Sequence, residues 1–170
     1  MIEINRIWAM PNKHTFTIKP IYDLLNRYKV GNGWADPFAG ENSPAEITND
    51  LNPEKPTQYH LDAKEFVKSL EKIDGVLFDP PYSLRQIKEC YDNIGIPLDY
   101  NQTLDASFSE VKNILADKIE KYVIRFGWNS NGFGINRGFE LVEILLIPHG
   151  GHHNDTIITV EKKNQLRLAI

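Results

Sequence analysis

The stretch Gly75-Val76-Leu77-Phe78-Asp79-Pro80-Pro81-Tyr82-Ser83 leaves this chain few folds to choose from. Val76, Leu77 and Phe78 form a short apolar run of strand-favouring residues. Asp79-Pro80-Pro81 stops it, because proline has no N–H for a sheet ladder and restricts the residue before it. A buried strand therefore ends on a carboxylate. In open α/β sheets ligands sit in the crevice beyond the carboxyl ends of the strands, so Asp79, the Pro80 and Pro81 carbonyls and Tyr82 stand where a site is expected. Such a group can hold a planar amine: Asp79 and the Pro80 carbonyl accept its two hydrogens while Tyr82 stacks on the ring that carries it. Alone, the tetrapeptide also reads as a surface turn, since Asp-Pro is a common turn starter. A second stretch shifts the balance. Gly33-Trp34-Ala35-Asp36-Pro37-Phe38-Ala39-Gly40 again runs into Asp-Pro, followed by an aromatic and a glycine that permits close approach of backbone to ligand.

A chain of 170 residues, 41% hydrophobic, can bury the apolar surface of one domain and is short for two, so residues 1–170 are expected to form a single domain. Its one cysteine, Cys90, excludes an internal disulfide framework and reads as a small buried residue of a protein in a reducing cytoplasm. No apolar run approaches the roughly 20 residues of a membrane span, and the amino-terminal residues lack a basic region followed by an apolar one. A net charge of −4 argues against a surface coated for tight nucleic-acid binding, although residues 1–30 are locally basic.

In chain order, Ile4 to Ala9 reads as an edge strand or extended arm. Pro20 opens a helix whose apolar positions Ile21, Leu24, Leu25 and Tyr28 recur at helical spacing. Strand ends follow at Asp36, Asp50 and Asp62, and the connection from Gly40 to Asp50 is too short for a regular crossover helix. Ala63–Leu70, Arg85–Tyr91 and Ser107–Ile119 read as helices, and Asn93–Asn101 as a loop. Tyr122–Gly127, Phe139–Ile147 and Thr156–Val160 read as strands, the last two joined as an antiparallel hairpin through a histidine- and glycine-rich turn. Strands alternate with helices until that hairpin, the pattern of a parallel sheet with an antiparallel edge. Taken singly, Asp50 also fits a turn acid and Asp62 an N-cap.

Two Asp-Pro strand ends with two further acids between them make a nucleoside-binding pattern. On these residues the chain resembles the S-adenosylmethionine-dependent amino-methyltransferases, adenine-specific DNA methyltransferases among them, from Phe16 to about Lys162. Asp79-Pro80-Pro81-Tyr82 carries most of the resemblance. It implies a Rossmann-like class I methyltransferase sheet, mostly parallel with one antiparallel edge strand, in the order 3-2-1-4-5-7-6. It implies catalytic roles for Asp79, Pro80, Pro81 and Tyr82. It also implies S-adenosylmethionine as cofactor: Asp36, Phe38 and Gly40 along its methionine part, Asp50 on its ribose, Asp62 on its adenine amine, and Phe16 and Thr17 in the amino-terminal cofactor motif. The chain departs from the family where Glu41-Asn42-Ser43-Pro44 replaces a second small residue and a helix, and where no insertion supplies a target-recognition domain.

The implied reaction is methylation of the exocyclic amine of adenine in nucleic acid, with DNA first and RNA as the alternative. Single-stranded substrates are favoured because base flipping costs a few kcal/mol in a duplex. Arg85, Lys88, Lys13 and Lys19 are the expected phosphate contacts, and sequence reading would fall to a partner or a second copy. A rival reading is a non-catalytic cofactor-binding or decoy protein. A third takes His149, His152 and His153 as a metal site, although their spacing is not a standard ligand pattern.

Overall fold

Ile73–Phe78 forms the strand (β4) that leads into Asp79, and the other strands are arranged about it. The computed structural model describes residues 1–97 and 104–164. In chain order the elements are β1 (Glu3–Arg6), α1 (Lys19–Tyr28), β2 (Trp34–Asp36), β3 (Ile47–Thr48), α2 (Ala63–Ser69) and β4. There follow α3 (Leu84–Asn93), α4 (Leu104–Lys118), β5 (Ile119–Gly127), β6 (Phe139–Ile147) and β7 (Thr156–Lys163). The expected loop over Asn93–Asn101 lies from residue 98 onward outside the described residues.

The strands make one sheet in the order β1-β6-β7-β5-β4-β2-β3. All neighbours pair parallel except β7, which runs antiparallel to both β5 and β6. Read from β3 to β6, this is the expected 2-1-4-5-7-6, so the Rossmann-like class I methyltransferase sheet is present. Two details differ from the expectation. The third strand shrinks to a single bridge between Asn49 and Tyr59, because the two prolines at 53 and 56 and the polar residues around Tyr59 offer no apolar run to bury. At the other end β1 adds to the outer side of β6, and the antiparallel strand β7 lies inside the sheet between β5 and β6. β7 reverses direction because Pro148–Asp155 is too short for a crossover.

Period-2 alternation divides the core. Val76, Phe78 and Val123 face α2 and α4 with Phe66, Val111, Leu115 and Phe133. Leu77, Ile124 and Phe126 face α1 with Ile21, Leu24, Leu25 and Trp34. Glu143, fully buried on β6, ties this second layer together: it accepts from Arg27 Nη2 (2.7 Å), the Tyr28 hydroxyl (2.7 Å) and Asn5 Nδ2 (3.3 Å). Burial pushes its carboxyl up, but these partners together hold it below its ordinary value. The chain between β2 and β3 is a series of turns, as its length required.

Gly75 sits against the buried Trp34 indole: a Cβ there would stand 2.6 to 2.8 Å from three ring carbons. The ring cannot step aside, since it is fully buried and its Nε1–H donates to the Val30 carbonyl at 3.0 Å. Gly75→Ala is expected to cost about 1–3 kcal/mol of stability by overpacking, read as a lower midpoint in chemical denaturation at unchanged slope.

Candidate active site

β4 delivers Asp79 to the carboxyl edge of the sheet after three consecutive residues with no exposure, Val76, Leu77 and Phe78. The Tyr82 hydroxyl donates a short hydrogen bond to Asp79 Oδ1. Tyr82 is held in turn: its N–H donates to Gln86 Oε1 (2.6 Å), and its ring lies tilted on Trp128 with centroids 5.3 Å apart. Ser83 caps α3 by accepting from Gln86 N–H. Burial pushes the Asp79 carboxyl up to about 6, against the opposing pull of the Tyr82 hydrogen bond and the Arg125 charge. Burial, then Asp79, raises the Tyr82 hydroxyl well above its ordinary range, so it remains a donor. At neutral pH the end of β4 therefore carries an ionised carboxylate. One oxygen is occupied by Tyr82, and the other has acceptor capacity left.

A cavity of about 820 Å³ opens at this group, lined by Asp79 to Tyr82 together with Pro37, Phe38, Asn49, Asp50 and Asp62. That size suits a nucleoside-bearing ligand. The Phe38 ring packs edge-on to Phe78 (5.5 Å) and Phe108 (5.4 Å). Half-buried Asp50 accepts from Gly40 N–H (3.0 Å) and Asn52 N–H (2.8 Å), one bond on each oxygen, which leaves a lone pair on each. Asp62 accepts from Lys64 N–H (2.9 Å) as the N-cap of α2 and also lines the cavity, so the cap and ligand readings hold together. Two carboxylates with spare acceptors beside an aromatic ring fit a ribose and an adenine amine.

Asp36 is placed differently. It is fully buried and turned back into its own loop, accepting from Phe38 N–H (2.9 Å) and the Ser43 hydroxyl (2.6 Å). The Glu41–Pro44 segment thus folds over this acid where the resemblance has a helix. Gly40 takes φ +58, a backbone that favours glycine, and its Cα faces open space. Phe16 packs edge-on to Phe126 in the core (5.4 Å), and the Thr17 hydroxyl donates to the His14 carbonyl (2.8 Å), whereas their neighbour Thr15 lines the cavity.

Three contributors were not foreseen in the sequence. Asn49, 1% exposed, donates to the Pro37 and Leu61 carbonyls (3.1 and 3.0 Å) and accepts from Leu61 N–H (2.9 Å), which joins three strand ends under the cavity. Arg125, buried on β5 and in register with Phe78, brings a cation toward Asp79 while its Nη1 holds the Asn129 carbonyl (3.0 Å). The α3 helix lends Ile87, Cys90 and Tyr91 to the wall. Cys90 is exposed, against the expectation of a buried residue, because Ile87 alone of this helix turns into the core.

The three-histidine metal reading does not hold. His149 uses both ring nitrogens, Nδ1 on the Ala9 carbonyl (2.9 Å) and Nε2 on the Thr156 hydroxyl (2.7 Å). Among the expected phosphate contacts, Lys19 and Arg85 form exposed ion pairs with Asp23 and Glu89, and such pairs are readily exchanged. Lys13 and Lys88 are exposed.

Burial pushes the Asp36 carboxyl up to about 7, and the Ser43 and Phe38 hydrogen bonds offset only part of this. A carboxyl with a folded value above its unfolded one stabilises the fold at low pH, and loses that contribution as pH rises through about 7. Asp36→Asn keeps partners for Ser43 and Phe38 N–H without the charge. Relative to wild type the variant is expected to gain stability as pH goes from 4 to 8, by on the order of a few kcal/mol, measured by denaturation at each pH.

Strand order and a cavity across the strand ends define the class I methyltransferase type of fold. Among solved structures the chain is similar to TrmN from Thermus thermophilus, with 12% identity over 86% of this chain and 49% of that one (TM-score 0.54). It is also similar to 1,6-didemethyltoxoflavin-N1-methyltransferase from Burkholderia thailandensis, crystallised with S-adenosylhomocysteine, at 12% identity over 86% and 78% of the two chains (TM-score 0.56). Magnesium protoporphyrin IX methyltransferase from Synechocystis PCC 6803, with bound S-adenosylmethionine, shares 11% identity over 84% and 75% (TM-score 0.51). The chain spans about half the length of TrmN. No protein-family model matches the chain, and no curated protein matches it. The likeness is therefore one of fold.

Proposed function

We propose that this chain is an S-adenosylmethionine-dependent methyltransferase that acts on the exocyclic amine of adenine in nucleic acid, DNA foremost. One observation carries the reading: Asp79, oriented by Tyr82, lines a cavity together with Asp50 and Asp62. Solved structures of the same fold with S-adenosylmethionine or S-adenosylhomocysteine support the choice of cofactor.

Phe38, Asp50 and Asp62 would hold the cofactor, which supplies an electrophilic methyl on sulfonium. The adenine amine is a poor nucleophile because its lone pair is delocalised into the ring. Asp79 and the Pro80 carbonyl accept the amine hydrogens and so concentrate the lone pair on nitrogen, with acceptors already in place before reaction. Tyr82 keeps the carboxylate in position through its hydroxyl and holds the base in place with its ring. The proton shed by the methylated amine can pass to Asp79.

The test is transfer of labelled methyl from S-adenosylmethionine to duplex DNA, single-stranded DNA and RNA, with the modified nucleoside identified by mass spectrometry. N6-methyladenine in one of these polymers is the expected result. Cofactor binding with no transfer to any of them would leave a non-catalytic binding protein.

A further inference from the structure

Beside the catalytic cavity lies a second one of about 420 Å³, walled by Pro11, Asn12, Trp128, His149, Asn154 and Thr156. Thr15 and Gln86 line both, so the two adjoin. At the shared end stands Trp128, 42% exposed and stacked at a tilt on Tyr82. Trp8, 60% exposed, lies outside the lining itself but brings its indole nitrogen within 3.7 Å of the position a Cβ would take on Gly150, on the loop that carries His152 and His153. His152 and His153 are exposed on the same loop. The core uses neither indole, and one exposed indole in the wall of a polar groove with a second beside its histidine loop needs another account.

We propose that this groove holds the unpaired nucleotides next to the target base in a single-stranded nucleic acid, with Trp128 stacking on the nearest base and Trp8 on one farther out. The proposal rests on the adenine-methylation reading above and specifies its substrate. A base that reaches Asp79 arrives attached to a strand, and the strand must leave the catalytic cavity through an adjoining opening. The groove supplies one, with amide and imidazole groups of Asn12, Asn154, His152 and His153 for sugar and phosphate. Stacking on aromatic rings binds any base, because every base has a π-face. Paired bases in a duplex offer no free face to such rings, so the groove selects against duplex.

The experiment uses the full chain and a fluorescein-labelled single-stranded DNA of mixed sequence, with its duplex as control, read by anisotropy at low salt. Wild type is expected to bind the single strand more tightly than the duplex. Trp128→Ala and Trp8→Ala should each weaken single-strand binding by about 5- to 100-fold, the range of one lost base stack, and duplex binding by less than about threefold. Trp128→Phe, which keeps a stacking face, should recover most of the loss, and circular dichroism checks that each variant folds. Specific binding through both indoles without any methyl transfer would uphold the groove and remove the reaction assigned to its neighbour. Methyl transfer to nucleic acid with binding and KM unchanged in both alanine variants would overturn the groove, as would failure of the wild type to bind single strands at all.

Discussion

Asp79→Ala is expected to lower the rate of methyl transfer by about two orders of magnitude or more while cofactor affinity changes little. Asp79 follows β4, whereas Asp50 and Asp62 line the same cavity from the ends of other segments. Asp79→Asn keeps an oxygen for the Tyr82 hydroxyl but no charge, and should lose nearly as much. The pH dependence gives an independent check. With the carboxyl pushed up to about 6 by burial, only the ionised form brings the negative charge that concentrates the amine lone pair and takes up its proton. kcat/KM should therefore fall about tenfold per pH unit below 6 and level off above it. Near-native turnover in the alanine variant would mean that the chemistry takes place elsewhere.

Asp50→Ala should weaken S-adenosylmethionine binding by about 1.5–3 kcal/mol, the usual worth of a hydrogen bond to a charged group. The carboxylate also anchors Gly40 N–H and Asn52 N–H, so loop order is lost with it. Asp50→Asn separates the two contributions, because an amide oxygen can still accept one backbone N–H while the charge is gone. Calorimetry on both variants decides the matter: unchanged affinity in each would confine Asp50 to a turn role.

Where hydrophobic runs meet proline, the chain could be read closely. β4 ends where Asp79-Pro80-Pro81 stops it, and β6 runs from Phe139 to Ile147 as its apolar content implied. The absence of a helix between β2 and β3 followed from length alone. Partners distant in sequence were not legible. Nothing near Asn49 announces that its amide joins three strand ends, and nothing near Glu143 announces Arg27, 116 residues away. The phase of a short turn is equally silent, which is why Thr15 meets the cavity while Phe16 enters the core. Arg125 looked like any charged residue in a strand, and only the register with Phe78 brings it near Asp79.

The docking of β1 on β6 has a consequence for the order in which the molecule assembles. Asn5 and Glu143 meet across 138 residues of chain, so β1 cannot pair until β6 has been made and laid against β7. The strand gives one short parallel ladder in return for closing a very long loop. It should therefore be the last piece to settle and the first to detach, with the amide protons of its inter-strand bonds exchanging well before those of β4 and β5. Pro11 and Asn12 follow directly after it, and Trp8 sits between. The groove beside the larger cavity is thus completed only when the amino-terminal strand is seated, and a newly made chain would have the cavity at the strand ends assembled before the groove next to it.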